Sequence, residues 1–138
     1  MKKYSFLIVT CLIVVVQSQI YVDPSATATG DGSMANPYNS LISAMEIVIP
    51  SPNKQVIYLK GSQTISSSVA LAATEIKLDL WSGYSASLNI SDSASFIISS
   101  NLDISNILIS WTNPTGTPFL DSTGSSELNI SLTVSFMF

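Results

Sequence analysis

Carboxylates are the side chains in this sequence that offer the most chemistry. Four aspartates, Asp79, Asp92, Asp103 and Asp121, are spread at wide intervals through the second half of the chain. Two carboxyl groups on one face can serve as the acid and the base of glycoside hydrolysis. Asp79 and Asp103 would share a face if successive turns of a repeat aligned them. The wide spacing favours the alternative of isolated solvated acids that keep a Ser-rich surface soluble, so no catalytic residue is predicted.

A glycine-rich loop near the start of the chain carries a weaker candidate site. Asp23 and Asp31 lie in or beside it, and their oxygens are ligands of the kind that Ca²⁺ takes. The dense alternating acids of known Ca²⁺ loops are missing. Gly30 and Gly32 permit positive φ, and Asp31 can hydrogen-bond its own backbone, so a tight turn is the favoured interpretation. No cofactor is predicted, and Ca²⁺ is kept as the alternative.

The composition argues against several other kinds of chemistry. The sequence has no histidine and no arginine, so a hydroxyl nucleophile lacks its usual histidine base. Its net charge is −4. Nucleic acid is therefore not predicted as a partner, because neutralising phosphates requires clustered cations. Phosphate-binding loops and zinc-ligand spacings are also missing from the sequence.

Two tryptophans and two asparagines lie beside strand-like phrases. Trp81 and Trp111 are predicted at corners, where large rings would shield the edge of a core. The alternative, more specific function of these rings is a platform on which a sugar ring stacks. Asn101 and Asn106 are predicted in turns, because asparagine tolerates left-handed backbone conformations and can stack one turn of a repeat on the next.

Residues 1–18 read as a secretory leader. Two lysines precede the apolar run Phe6–Val16, and small residues place cleavage between Ser18 and Gln19. The run is shorter than the roughly 20 apolar residues that cross a bilayer, so a retained anchor is the less favoured alternative. A secreted, extracellular protein without a stable membrane span is predicted. The mature chain would keep three lysines, nine carboxylates and no cysteine, which gives a net charge of −6.

Two tripeptides match the N-glycosylation sequon. They are Asn89-Ile90-Ser91 and Asn129-Ile130-Ser131. In a secreted protein Asn89 and Asn129 are candidate glycan acceptors, and chance occurrence in a Ser-rich chain is the alternative.

Short apolar phrases recur from Val56 onward. They are Val56–Leu59, Ile76–Leu80, Phe96–Ile98 and Phe119–Leu120, which follow one another at nearly regular intervals. Apolar residues alternate with small polar ones inside them, which is typical of strands with one buried face. Strands that return at such a regular period predict a solenoid, in which Val56–Leu59, Ile76–Leu80 and Phe96–Ile98 stack in parallel. An antiparallel sandwich is the alternative.

The residues before the repeat predict a different kind of structure. Leu41, Ile42, Met45 and Val48 fall on one face of a helix that Asn39 or Ser40 can cap and Pro50 must end. The predicted organisation is a leader (1–18), an entrance strand, loop and capping helix (19–55), and the repeat itself (56–138).

The order of these segments resembles the start of pectin-lyase-like proteins. Ile20–Pro24 is followed by a Gly-Asp-Gly-Ser loop, Asn36-Pro37-Tyr38, one amphipathic helix and Val56–Gly61. The resemblance implies an all-β fold, a right-handed parallel β-helix of three to four coils with one N-terminal capping helix. In that family the opening strand and helix cover the exposed end of the first coil, which would otherwise be an unpaired edge.

Two functions are compatible with this sequence. The favoured one is a secreted, non-catalytic β-helix that presents a polar face to a glycan or a surface protein. The alternative is an N-terminal fragment of a polysaccharide lyase or glycoside hydrolase of this family, whose catalytic coils lie beyond Phe138. Three to four coils are few for such a fold, so a truncated chain is expected. The lyases of the family need a strong base and usually Ca²⁺, and the three lysines are widely separated.

Self-association is the expected behaviour of the mature chain. The apolar strand predicted for Leu128–Phe136 would offer a long, poorly charged backbone edge. Replacing Thr133 and Ser135 by lysine should suppress association while leaving the fold intact. Analytical ultracentrifugation of both proteins measures this, and a wild-type chain that stays monomeric at high concentration would contradict it.

Overall fold

The computed structural model describes residues 18–26, 30–47, 54–71, 75–91, 94–98, 101–111, 120–122 and 128–131. This part of the chain holds one helix, α1 (Leu41–Ile47), and eleven strands. The strands are β1 (Ser18–Val22), β2 (Gln55–Leu59), β3 (Gly61–Ile65), β4 (Val69–Leu71), β5 (Glu75–Leu80), β6 (Ala86–Ile90), β7 (Phe96–Ile98), β8 (Asn101–Ser105), β9 (Leu108–Trp111), β10 (Leu120–Ser122) and β11 (Leu128–Ser131). In the described residues no helix is long and apolar enough to cross a membrane.

The strands form three parallel sheets. Sheet A has the order β1-β2-β5-β8-β11, sheet B has β3-β6-β9, and sheet C has β10-β7-β4. Each pair of neighbouring strands is parallel. The all-β prediction is therefore confirmed, and the antiparallel sandwich is wrong for the described part of the chain.

The register of the repeat differs from the predicted one. Val56–Leu59 does lie parallel to β5, as predicted. Phe96–Ile98, however, pairs with β4 and β10 in sheet C, and β8 takes the predicted place beside β5. The apolar phrases look alike in the sequence, but the connections between strands vary in length, so a constant spacing assigns some phrases to the wrong sheet.

An aliphatic column fills the interior of sheet A. Ile20, Ile57, Leu78 and Ile104 are aligned on β1, β2, β5 and β8, and all four are at least nine-tenths buried. Successive residues of a strand point to opposite faces of the sheet, so the residues next to these four along each strand face outward. Leu88 and Ile90 of sheet B are buried in the same core cluster. Each such side chain contributes about 1.5–3 kcal/mol on leaving water.

Helix α1 packs against β1, β3 and β4. Of the predicted apolar face, Leu41 and Met45 are buried and Ile42 is partly buried, whereas Val48 lies outside the described residues. Ala44, which the pattern did not include, is buried as well. The Ser40 hydroxyl accepts a hydrogen bond from the Ser43 amide at 3.1 Å, so Ser40 is the N-cap of the two candidates, Asn39 and Ser40. The Leu41 amide donates to the side-chain carbonyl oxygen of the buried Gln63 at 3.1 Å and so ties the helix to sheet B.

The side chains of the interior column should carry much of the stability. Leu78→Ala, at a fully buried position, should lower the free energy of unfolding by about 2–5 kcal/mol because it leaves a cavity. Leu108→Ala is the matched control: Leu108 is 38% exposed, so the same truncation should cost less than about 1 kcal/mol. Urea denaturation measures both, and equal losses would show that Leu78 does not fill a packed interior.

Candidate functional site

Sheets A and B are joined by connections of unequal length. One residue, Lys60, links β2 to β3; five residues, Trp81–Ser85, link β5 to β6; and two, Asn106 and Ile107, link β8 to β9. The strands on both sides are held in register, so the extra residues of the longest connection must project outward. We call this segment, Trp81–Ser85, the aromatic corner.

The aromatic corner is a turn anchored to the neighbouring strand. The Trp81 amide donates to the Leu59 carbonyl at 2.9 Å, and the Tyr84 amide donates to the Trp81 carbonyl at 3.1 Å. Gly83 has a φ of 86°, which the turn requires and which favours glycine. Trp81 is buried, whereas Tyr84 is 49% exposed. The turn therefore holds one ring against the protein and presents the other to solvent.

Four aromatic rings form a continuous cluster at this corner. Tyr21 and Tyr58 are register partners on β1 and β2 and stack with centroids 5.2 Å apart. Trp81 lies 4.9 Å from Tyr21 and 5.4 Å from Tyr84. The predicted corner position of Trp81 is confirmed. That of Trp111 is wrong, because Trp111 is the last residue of β9 and pairs with Ile90.

Lys60 packs over the corner and is neutralised by a buried carboxylate. Its Nζ lies 4.6 Å from the ring centroid of Tyr84, within cation–π range, and donates to Asp23 Oδ2 at 2.6 Å. Burial opposes ionisation of Asp23, but hydrogen bonds from Lys60 and Ser25 outweigh it, so the pKa of Asp23 is lowered. The same bond to Asp23 raises the pKa of Lys60. Both groups are charged at neutral pH and compensate each other.

The two predicted calcium ligands have protein partners. Asp23 accepts hydrogen bonds from the amide and the hydroxyl of Ser25 at 2.9 and 2.6 Å, in addition to its bond with Lys60. Asp31 accepts the Ser33 amide at 2.9 Å, as expected for the tight turn. Hydrogen bonds donated by Ser33 lower the pKa of Asp31. The residues that the structure describes contain no group of three or more His, Cys, Asp or Glu side chains that could hold a metal ion.

A hollow of about 400 Å³ opens beside the aromatic corner. Tyr84 and Ser85 line it from the corner, and Asn106 lines it from the shorter connection of the next strand pair. Leu80, Ala86, Ile107 and Leu108 supply its apolar lining. An aromatic ring, an amide and a hydroxyl around an apolar surface are the typical composition of a small-ligand site.

Asp79 holds the asparagine of this hollow in place. Asn106 Nδ2 donates to Asp79 Oδ1 at 3.0 Å, and Asn106 adopts a φ of 59°, the left-handed conformation predicted for it. Asp79 also accepts the Leu80 amide at 2.8 Å and Lys77 Nζ at 2.8 Å. Burial opposes ionisation of Asp79, but these hydrogen bonds prevail and lower its pKa. This bond engages one of the two N–H groups of Asn106, so its second N–H and its carbonyl oxygen are not used by Asp79.

The aspartates considered for catalysis have different surroundings. Asp79 and Asp103 lie on the outer face of sheet A, and Lys77 is the register partner of Asp103. Lys77 binds Asp79, and this hydrogen bond raises the pKa of Lys77. Asp103 accepts the Ser105 hydroxyl at 3.1 Å. Asp79 is ionised and engaged by three donors, which does not suit a general acid. Asp92 lies outside the described residues. Asp121 is the middle residue of β10 and pairs with Ile97 of β7.

The candidate modification sites lie on strands. Asn89 is half-buried on β6, and its Nδ2 donates to Ser62 Oγ at 2.7 Å. Asn129 is a residue of β11, and Ser18 and Gln19, on either side of the predicted cleavage site, are the first residues of β1. Asn101 is exposed at the start of β8, so its predicted turn position is wrong. Glycan attachment and cleavage remain predictions.

Sequence reasoning did not single out Tyr84, although Tyr84 is the exposed ring of the site. Its signal is an aromatic residue inside the turn-forming segment Ser82-Gly83-Tyr84-Ser85. An aromatic side chain in such a turn cannot be buried by strand alternation, so its ring must lie at the surface or against a neighbouring corner.

The Asp79 network should make the protein sensitive to acid. Because the pKa of Asp79 is lowered on folding, its stabilising contribution is present above the unfolded pKa of about 3.9 and is lost as pH falls through the folded pKa. Asp79→Asn should therefore lower stability at neutral pH by about 1–3 kcal/mol and flatten the loss of stability in acid. Thermal unfolding between neutral and acidic pH measures this.

The matched control is Asp103→Asn on the same outer face. This variant keeps all three hydrogen bonds to Asp79, so its acid profile should follow that of the wild type more closely. Identical profiles for Asp79→Asn and the wild type would show that the network does not stabilise the fold.

Three comparisons with known proteins found no match to this chain. No family model matches the chain, no curated protein is significantly similar to it, and no solved structure matches it. The likeness to pectin-lyase-like proteins therefore rests on the order of the N-terminal segments alone.

Proposed function

We propose that this protein is a secreted, non-catalytic parallel β-helix that binds glycans through the hollow beside the aromatic corner. The strand order supports the β-helix. From β2 onward the chain visits sheets A, B and C in turn, three times, and then returns to sheet A. Ile57, Leu78, Ile104 and Ile130 are aligned in sheet A, one from each cycle and one from the final return, as expected if each cycle is one coil.

The start of the chain fits the same proposal. Strand β1 pairs with β2 on the outer edge of sheet A, and α1 packs against β1, β3 and β4. Together they cover the first coil, which would otherwise expose backbone donors and acceptors. The predicted leader directs the chain to an extracellular compartment, where the mature part, which has no cysteine, is held by its core and strand ladders.

The observation that carries the glycan proposal is the half-exposed ring of Tyr84 on the wall of the hollow. A sugar ring has an apolar face of C–H groups, which packs on an aromatic ring, and a rim of hydroxyls, which need donors and acceptors. Tyr84 supplies the ring, and Asn106 and Ser85 supply polar atoms. Lys60 and Trp81 contact Tyr84 and so limit its freedom before a ligand arrives. Preorganisation of this kind reduces the entropy cost of binding.

The alternative of a polysaccharide-degrading enzyme has no comparable support among the described residues. Asp79, the carboxylate that reaches the hollow through Asn106, is committed to three hydrogen bonds. Its role is to orient an amide, which serves binding.

Removal of the Tyr84 ring tests the proposal. The secreted chain is titrated with soluble oligosaccharides of β-1,4-glucan, β-1,3-glucan, mannan and polygalacturonate, and binding is followed by isothermal calorimetry. Tyr84→Ala should weaken binding of the best ligand about tenfold, equivalent to about 1.4 kcal/mol. Tyr84→Phe should retain most of the affinity, because the stacking surface remains.

Met34→Ala is the matched control for loss of an exposed apolar side chain. Met34 is 62% exposed and does not line the hollow, so its truncation should leave affinity unchanged. A wild-type protein that binds none of the four ligands, or a Tyr84→Ala variant with wild-type affinity, would overturn the proposal.

A further inference from the structure

The outer face of sheet B adjoins the hollow and presents two columns of side chains. One column is Ser62, Ser87 and Leu108, and the other is Thr64, Asn89 and Ser110, each aligned across β3, β6 and β9. We call these six residues the polar face. Ser62, Thr64, and Leu108 are exposed, and Ser87, Asn89 and Ser110 are at least partly accessible.

The polar face lacks charge. Strands β3, β6 and β9, with the sequences GSQTI, ASLNI and LISW, contain no ionisable side chain. This contrasts with the outer face of sheet A, where Lys77, Asp79 and Asp103 lie close together. Hydroxyl and amide groups dominate the polar face, so it suits a partner that carries many hydroxyls and no charge.

Spacing and preorganisation suit an extended ligand. Neighbouring strands lie about 4.8 Å apart, and outward residues on one strand lie about 6.6 Å apart. The polar face therefore offers hydrogen-bonding groups at regular intervals. Asn89 Nδ2 donates to Ser62 Oγ at 2.7 Å, which fixes both side chains across two strands. This bond leaves the Ser62 hydroxyl proton, the second N–H of Asn89 and the Asn89 carbonyl oxygen for a partner.

Leu108 connects the polar face to the hollow. It lines the hollow together with Tyr84 and Asn106, and it also completes the column of Ser62 and Ser87. A glycan whose terminal sugar lies on Tyr84 can therefore extend over Leu108 onto β6 and β3 without crossing a charged group.

The charges around the hollow disfavour an acidic ligand. Lys60, the cation beside Tyr84, is paired with Asp23. Asp79, which holds Asn106, is ionised. The predicted mature chain has a net charge of −6. A polyuronate would meet a carboxylate and a compensated lysine, and the protein as a whole would repel it.

We propose that the ligand is an uncharged, extended glycan that seats one sugar on Tyr84 and runs across the polar face of sheet B. This inference rests on the proposed function, because it assumes that the hollow binds a sugar. The inference adds the chemical class of the glycan, and it adds the polar face as the surface that makes affinity depend on glycan length.

A length series separates the hollow from the polar face. The secreted full chain is titrated with disaccharides and hexasaccharides of β-1,4-glucan, β-1,3-glucan and mannan, and with the hexamer of galacturonate, at low and high salt. The wild type should bind a neutral hexamer at least tenfold more tightly than its dimer. Affinity for the neutral hexamer should change less than twofold with salt, because no ion pair is formed.

Variants of the polar face test whether its side chains cause the difference in affinity between hexamer and dimer. The double variant Thr64→Val and Ser87→Ala removes two hydroxyls with little change in side-chain size, and it should reduce hexamer affinity about tenfold and leave dimer affinity unchanged. Ser67→Ala removes an exposed hydroxyl outside the polar face and should change neither. Circular dichroism and thermal unfolding confirm that each variant is folded.

The outcomes separate this inference from the proposed function. If the double variant binds the hexamer like the wild type while Tyr84→Ala does not, the polar-face inference is overturned and the hollow stands. Salt-sensitive binding that favours galacturonate overturns the neutral class alone. Absence of any glycan binding overturns both proposals.

Occupancy of Asn89 provides an independent test. A glycan on Asn89 would cover the middle of the polar face, and it would be attached at the nitrogen that donates to Ser62. Mass spectrometry of the protein secreted from a glycosylating host should show unmodified Asn89. Full occupancy would overturn the inference while leaving the hollow beside Tyr84 available.

Discussion

Register between parallel strands is the constraint on which this structure depends. Side chains alternate between the two faces of a strand, so a slip of one residue would turn the whole interior column of sheet A toward water. The alignment of Ile20, Ile57, Leu78 and Ile104 fixes each strand against its neighbour. The same alignment decides which residues face outward, and it places Tyr21 against Tyr58 and Lys77 beside Asp103.

Because strands cannot absorb extra residues without losing register, length differences must accumulate at the corners. The connection between sheets A and B grows from one residue to five and falls to two. The longest connection projects Tyr84 over the shorter one that follows, and the hollow is the space between them. The candidate site is thus a consequence of unequal corners on a regular scaffold, an arrangement in which loops carry function and strands position them.

These constraints also explain how much of the structure the sequence could predict. Alternation and composition suffice for an all-β fold, and the capping pattern suffices for α1 and limits its N-cap to Asn39 or Ser40, because such signals are local. The sheet assignment of Phe96–Ile98 failed because it depends on corner lengths that no single phrase reveals. Tyr84 was missed for a related reason: its importance comes from Lys60, Trp81 and Asn106, which meet around it only after the strands are aligned.

Charge is distributed in a way that links stability to the site. Asp23 and Asp79 are ionised acids whose partners belong to neighbouring strands or corners: Lys60 follows β2, and Asn106 follows β8. Each carboxylate therefore fixes the position of a connecting residue that the hydrogen bonds between strands do not fix. One of these residues, Asn106, lines the hollow, and the other, Lys60, contacts Tyr84 beside it. Sheet B has no charge on its strands, and there hydroxyl and amide bonds such as that between Asn89 and Ser62 connect neighbouring strands. The protein thus holds its corner with two ionised carboxylates, one in an ion pair with Lys60 and one hydrogen-bonded to Asn106, and leaves the outer face of sheet B uncharged. This division is compatible with the uncharged polymeric ligand that we propose.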